Sequence, residues 1–238
     1  MVAAAREMSI TGPPSPHRGR QTIPAPDLYI LQMPTALPSR ADALVLMHEY
    51  TANESLRKHM LSVEAAMRSY AVRFSGDVER WGLAGLIHDF DYERFPNAAH
   101  SATEEHPAWG VRLLRERGWP EDILEAILGH ATYSGVPRTS HMAKTLFAVD
   151  ELTGLVTATA LVKPSKSVHE VEVSSVKKKM KDKGFARGVN REDVVVGAQE
   201  LGVDLDQHIQ FVIDAMRGAA EAIGLAGTPA PAGGEPLR

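Results

Sequence analysis

Apolar side chains recur every three or four residues through the middle of this 238-residue chain, and strand-like alternation is scarce. The clearest stripe consists of Leu56, Met60, Val63, Met67, Tyr70 and Phe74. Because a helix turns once in 3.6 residues, this spacing places the whole stripe on one helical face. The pattern predicts an all-α fold in which several amphipathic helices form a bundle around one core.

Glycine, proline and capping residues predict where the helices begin and end. The first predicted helix ends before Gly76, the second runs into His88, the third opens near His106 and closes at Gly118, the fourth starts at Pro120, and the fifth extends from about Ser140 to Pro164. Asn190 with Asp193, and Asp204 with Gln207, resemble capping boxes. They predict two last helices, the final one ending at Gly224.

Proline separates the chain into three parts, since ten of the fifteen prolines lie before Ala41 or after Gly227. We predict a Pro-rich N-terminal extension over 1–38, a folded domain over 39–226 and a flexible C-terminal tail over 227–238. The apolar patch Leu28–Met33 in the extension could pack on the domain or on another subunit. A homo-oligomer therefore stays open.

Composition excludes several classes of function. The chain has no cysteine, which excludes disulfides, thiolate nucleophiles and Cys-ligated metals. Its formal net charge of -4 gives no positive field to attract nucleic acid or an anionic membrane. Arg6 and Pro13 interrupt the run that a secretory signal needs, and Leu155–Val162 is too short for a membrane span. We expect a cytoplasmic protein with no membrane partner.

The histidines and two aspartates fall at informative places on these helices. His59 is mid-helix, His88-Asp89 ends the next helix, His106 opens the third, His130 ends the fourth and Asp150 lies inside the fifth. A bundle core can gather ligands from facing helices, and a His/Asp set suits divalent Mn, Fe, Co, Ni or Zn. Because a carboxylate at a helix end can bridge two ions, a dinuclear site is possible.

The order of these residues resembles the H...HD...D pattern of the HD-domain superfamily, whose members are mostly metal-dependent phosphohydrolases. The intervening His106 and His130 are similar to the two extra histidines of its dinuclear, HDIG-type branch, and Gly110 follows His106 with the spacing common there. The dipeptide Phe90-Asp91 departs from that motif. The segments AVDELTGL, LVKPSKS and SVKKKMKDKGFARGVNRE are similar to a bacterial group of HD-superfamily hydrolases.

The resemblance implies a role for each residue. His59, His88, Asp89 and Asp150 would hold one metal, and Asp89 would bridge to a second metal held by His106 and His130. A hydroxide between the ions would attack phosphorus, which makes His88 and Asp89 the central catalytic residues. The expected substrate is a small phosphorylated molecule, with a nucleotide or a related phosphoester as the leading class.

Substrate-binding residues are predicted from local charge. The segment from Lys163 to Arg191 contains nine Lys or Arg residues and three Asp or Glu residues. This excess is either a solvated helix face or an anion-binding rim, for which Lys163, Lys166 and Arg187 are the candidates. Tyr92, just after the HD pair, is the fourth candidate. Nucleic acid is disfavoured because the stretch offers one aromatic residue for stacking.

Two questions stay open at this level. His100 competes with His106 as a ligand, although His106 has the helix and glycine context; His48, His141, His169 and His208 lack such context and are predicted to lie on the surface. The same six ligands also serve mixed-valent di-iron oxygenases. A non-catalytic nucleotide-binding signalling module is the third alternative.

Overall fold

The computed structural model describes residues 37–227, and within this range it contains helices and no β-strand. The helices are α1 (Arg40–Tyr50), α2 (Glu54–Arg73), α3 (Val78–Ile87), α4 (Ala108–Glu116), α5 (Glu121–His130), α6 (His141–Leu161), α7 (Val173–Lys181), α8 (Arg191–Leu201) and α9 (Leu205–Gly218). The all-α prediction is confirmed. The patch Leu28–Met33 lies outside the described residues, and the predicted domain limits stay a prediction.

Short polar side chains start most of these helices. Asn53, Asp77 and Ser140 each accept hydrogen bonds from backbone N–H groups in the first turn of α2, α3 and α6. Asn190 and Asp204 do the same for α8 and α9. Such caps satisfy N–H groups that have no partner inside the helix, so they set where each helix begins.

Helices α2 and α6 form the centre of the bundle, with α2 against α3 and α6 against α5 and α8. Two glycines permit close approach. A Cβ on Gly85 would lie 3.0 Å from the backbone of Glu64, and one on Gly197 would lie 2.6 Å from Cα of Ala148. The core around them is almost entirely aliphatic. Across 37–227, no helix combines the length and apolar character that crossing a membrane requires.

Two helices were not indicated by the apolar pattern, and one predicted end is wrong. Helix α1 buries only Ala43, Leu46 and Met47, which is too short a stripe to recognise. Helix α7 lies in the basic stretch and buries only Val176. Helix α9 ends at Gly218 rather than at Gly224, because the chain then turns so that residues 220, 223 and 225 return to the core.

The prediction that His208 lies on the surface is wrong. Its side chain is fully buried between α9, α2 and α6. Nε2–H donates to the carbonyl of Ala148 at 2.9 Å, and the Tyr70 hydroxyl lies 2.6 Å from Nδ1 and donates to it. Burial, assisted by the charge of Arg73, lowers the pKa of His208. The ring therefore stays neutral in the folded protein.

We expect His208→Gln to lower the free energy of unfolding by about 1–3 kcal/mol near neutral pH, since it leaves buried polar groups without partners. Below about pH 6.5 the unfolded wild-type chain binds a proton at His208, whereas the folded chain does not. The free energy of unfolding of the wild type therefore falls as the pH falls. His208→Gln has no titrating group at this position, so its free energy of unfolding does not fall for this reason. The difference in stability should narrow in acid, as measured by urea unfolding.

His48→Gln is the matched control, because His48 is an exposed histidine on α1. It should leave the free energy of unfolding unchanged within about 0.5 kcal/mol. A stability difference for His208→Gln that stays constant or widens in acid would contradict the neutral, buried state of His208.

Candidate metal centre

Six side chains from five helices and their ends meet at one place in the bundle. His59 extends from α2, His88 and Asp89 directly follow α3, His106 precedes α4, His130 is the last residue of α5, and Asp150 lies in the middle of α6. One ligand atom from each of His59, His88, Asp89 and Asp150 lies within 4.8 Å of the others, and the same holds for Asp89, His106 and His130. The two groups share Asp89.

The two carboxylate oxygens of Asp89 face different groups. Oδ2 lies 3.4 Å from His88 Nε2 and 3.7 Å from His59 Nε2. Oδ1 lies 3.2 Å from His106 Nε2 and 3.6 Å from His130 Nε2. This division places one carboxylate between two clusters of donor atoms, which is the arrangement that a bridging ligand requires.

The backbone sets which ring nitrogen of two histidines points inward. His88 Nδ1–H donates to the carbonyl of Gly85 at 2.8 Å, and His130 Nδ1–H donates to the carbonyl of Ile127. Since carbonyls only accept, both rings present an Nε2 lone pair to the centre when neutral. His88 Nε2 is buried and has no hydrogen-bond partner. A metal ion satisfies such an orphaned lone pair, so the residues fit a metal.

The pair His106 and His130 supports the same conclusion. His106 Nδ1–H donates to the Asp91 carboxylate at 2.7 Å, which leaves a lone pair on its Nε2 as well. The two Nε2 atoms are 3.1 Å apart. Two neutral rings in this orientation repel each other unless a positive charge lies beside both lone pairs. A cation is therefore favoured at the second group also.

The electrostatics favour positive charge in the centre. Burial disfavours the charged form of His88, but the carboxylates of Asp89 and Asp150 outweigh burial and raise the pKa of His88. Burial likewise opposes ionisation of Asp89, yet the facing histidines lower the pKa of Asp89. The aspartates are thus anionic and attract cations. The donor set of nitrogen and oxygen atoms suits first-row divalent metals.

Asp91 contacts this centre in a way that the sequence did not predict. It is buried, and its two oxygens accept from His106 Nδ1–H and from the backbone N–H of Gly110, at 2.7 Å and 2.8 Å. This carboxylate orients the imidazole of His106 in the way that outer-sphere carboxylates orient metal-binding histidines. The only sequence signal is its position two residues after Asp89, in a dipeptide that departs from the family motif.

A cavity of about 810 Å³ opens onto the centre. Five of the six residues line it, and the fully buried His88 does not. Further polar residues in its wall are Tyr92, Asn97, His100, Thr132, Tyr133, Glu151, Asn190 and Asp193. No lysine or arginine of residues 37–227 lines the cavity.

The four substrate-binding candidates are placed differently. Tyr92 lines the cavity, and its ring lies edge-on to His106 with the centroids 5.2 Å apart. Lys163 and Lys166 are not in the lining, and Lys163 approaches Ser175. Arg187 does not line the cavity either, although the neighbouring Gly188 does. An anion-binding role for these three cations stays a prediction.

Glu151 and His100 also lie in the wall. Glu151 follows Asp150 on α6, and burial together with the charge of Asp150 raises the pKa of Glu151 to about 8. Its Oε2 accepts from the backbone N–H of Asn190 at 3.0 Å. His100, the competitor of His106, belongs to neither group of candidate metal ligands.

A substitution at Gly110 tests the packing of Asp91 beside His106. A Cβ at this position would lie 2.7 Å from Oδ2 of Asp91, so the carboxylate must move. We expect Gly110→Ala to lower the free energy of unfolding of the metal-free protein by about 1–3 kcal/mol through overpacking. Gly218→Ala is the control, because a Cβ there meets nothing within 4 Å and improves helix propensity. Equal stability of the two variants would contradict the role of Gly110.

Comparison with known proteins identifies the family. The family model of the HD domain matches residues 56–155, a range that begins in α2, ends in α6 and contains all six residues of the centre. The searches of curated proteins and of solved structures each gave no match. The resemblance seen in the sequence is confirmed for the superfamily, while the dinuclear branch stays a prediction. Residues 56–155 of the chain thus form a domain of the HD type.

Proposed function

We propose that this protein is a metal-dependent phosphohydrolase that acts on a small phosphoester and uses two divalent cations. One cation is held by His59, His88, Asp89 and Asp150, and the other by Asp89, His106 and His130. The observation that carries the proposal is the division of the Asp89 oxygens between two groups of donor atoms. The HD domain, which is typical of metal-dependent phosphohydrolases, supports it.

The protein's own residues perform three tasks in this reaction. When bound, the cations would lower the pKa of water and stabilise charge on the phosphoryl oxygens. Asp89 sets the separation of the two sites through its two oxygens. Asp91 keeps the His106 ring turned so that Nε2 faces the centre. The cavity admits a substrate to the exposed side of the centre, while the aliphatic core closes the other side.

The charge of the cavity wall favours a substrate with few phosphoryl groups. No lysine or arginine of the described lining is present to neutralise a polyphosphate, and the wall has the acidic side chains of Glu151 and Asp193 instead. A phosphate monoester or diester, including one of a nucleoside, has a single phosphoryl group. Little of its negative charge therefore lies too far from the two cations to be neutralised by them. We therefore place a nucleoside monophosphate or a comparable phosphoester ahead of a nucleoside triphosphate.

Asp89→Ala tests the proposed function directly. Wild-type protein loaded with Mn, Fe, Co, Ni or Zn should release phosphate from a panel of small phosphoesters. The variant should lose at least about 100-fold in rate, because both cations lose a shared ligand. His48→Gln is the control, because His48 is an exposed histidine on α1 and belongs to neither group of candidate ligands. This variant should keep the wild-type rate. A metal-loaded wild type that is inactive on the whole panel would sink the proposal.

The number of ions has its own test. Wild-type protein should bind two ions per chain, whereas His130→Ala should retain the ion of the four-residue group and bind one. His59→Ala should in turn weaken only that first ion. Elemental analysis after dialysis measures both. If the wild type binds one ion per chain and His130→Ala binds the same number, the site is mononuclear.

The alternative activities give different results in the same assay. A hydrolase works without oxygen and with several divalent metals, whereas a di-iron oxygenase needs iron and consumes O2. A signalling module binds nucleotide but shows no turnover above background with any of the metals. Running the panel with and without oxygen, and measuring O2 uptake, distinguishes these outcomes.

A further inference from the structure

Hydrolysis of an unactivated phosphoester needs a proton donor, because an alkoxide is a poor leaving group. Resting on the proposed phosphohydrolase function, we propose that His100 supplies this proton to the leaving-group oxygen. His100 lines the cavity that opens onto the metal centre, yet it is in neither group of metal-binding side chains. Among the described lining residues, His100 is the one histidine that is not a proposed metal ligand.

The loop that carries His100 is exposed, and hydrogen bonds fix its backbone on both sides of this residue. The Glu105 carboxylate accepts from the backbone N–H groups on both sides of His100, at 3.1 Å from Ala99 and 2.9 Å from Ser101. His100 itself has a φ of 52°, a left-handed conformation that is uncommon outside glycine. Such backbone persists where surrounding contacts enforce it, and it occurs often at functional sites.

Tyr133 connects His100 to the metal centre. The two rings stack with centroids 4.7 Å apart and an interplanar angle of 22°. The Tyr133 hydroxyl donates to the backbone carbonyl of His106 at 2.7 Å and accepts from Asn97 Nδ2 at 3.0 Å. Because the platform under His100 is tied to the backbone of a proposed ligand, the imidazole keeps a defined position beside the site.

The other groups in the wall are weaker candidates. The proton of the Tyr133 hydroxyl is committed to the His106 carbonyl, and burial raises the pKa of Tyr133 to about 12. Glu151 accepts the N–H of Asn190 and directly follows the proposed ligand Asp150 on α6. Tyr92 stands over the His106 ring and remains the competing donor that the experiment must separate.

The proposed step balances as follows. The water oxygen forms a bond to phosphorus while the bond from phosphorus to the ester oxygen breaks. The proton on the His100 imidazolium moves to the departing oxygen and gives an alcohol. The water loses one proton, and the neutral His100 regains one from solvent, so the net reaction is ester plus water to alcohol plus phosphate.

Two esters that share a ring distinguish proton donation from other roles. In 4-nitrophenyl phosphate the leaving group is stable without a proton, whereas in 4-nitrobenzyl phosphate it is an alkoxide. We expect His100→Asn, chosen because asparagine tolerates the left-handed conformation, to lower kcat on the benzyl ester by about 100-fold or more. On the phenyl ester the loss should stay below about 3-fold. Metal content and thermal unfolding should match the wild type.

Each result decides the proposal. An equal loss on both esters, no loss on either, or loss of metal from His100→Asn overturns it. A loss confined to the benzyl ester in Tyr92→Phe or Glu151→Gln, with His100→Asn unaffected, assigns the proton to that residue instead. Recovery of the benzyl-ester rate by added imidazole supports His100. If metal-loaded wild type hydrolyses neither these two esters nor any other phosphoester of the panel, the proposed function itself fails. That result differs from an active wild type whose His100→Asn variant loses activity equally on both esters.

Discussion

The attraction between the partly buried carboxylates of Asp89 and Asp150 and positive charge is the interaction on which the rest of this structure depends. Asp89 and Asp150 are surrounded by imidazoles whose inward nitrogens carry lone pairs when the rings are neutral, so the neutral rings leave the two negative charges uncompensated. Burying anions costs free energy unless cations accompany them. The proposed metals would therefore stabilise the bundle as well as serve chemistry, because they join the ends of α3 and α5 to the middles of α2 and α6.

The arrangement around the centre has two layers with different origins. Main-chain carbonyls of Gly85 and Ile127 set the tautomers of His88 and His130, so helix geometry itself orients these rings. His106 lies before its helix and has no such carbonyl, and the Asp91 carboxylate takes that place. Gly110 is needed because only a residue without Cβ lets Asp91 reach the backbone N–H. The glycine of the family pattern thus has a local steric reason.

Most of the fold could be predicted from the chain because its long helices have clear apolar stripes and polar caps. Helix α1 escaped notice because its buried face covers one turn, and α7 because lysines dominate it; Lys177 pairs with Asp206, and Lys179 lies over the ring of Phe185. These contacts explain part of the basic stretch without a ligand. His208 looked like a surface residue because its partners are 60 and 138 positions away in the chain.

The sequence by itself determined the helical class, because this depends on local periodicity. It also determined the superfamily and the order of the six candidate ligands, because its His/Asp pattern resembles the H...HD...D motif. Only the tertiary structure decided which oxygen of Asp89 faces which group, how Asp91 turns His106, and that His100 lies in the cavity while Lys163 and Lys166 do not. The reason is physical. Orientation and cavity walls arise from contacts between distant segments, and a one-dimensional pattern carries no distances between them.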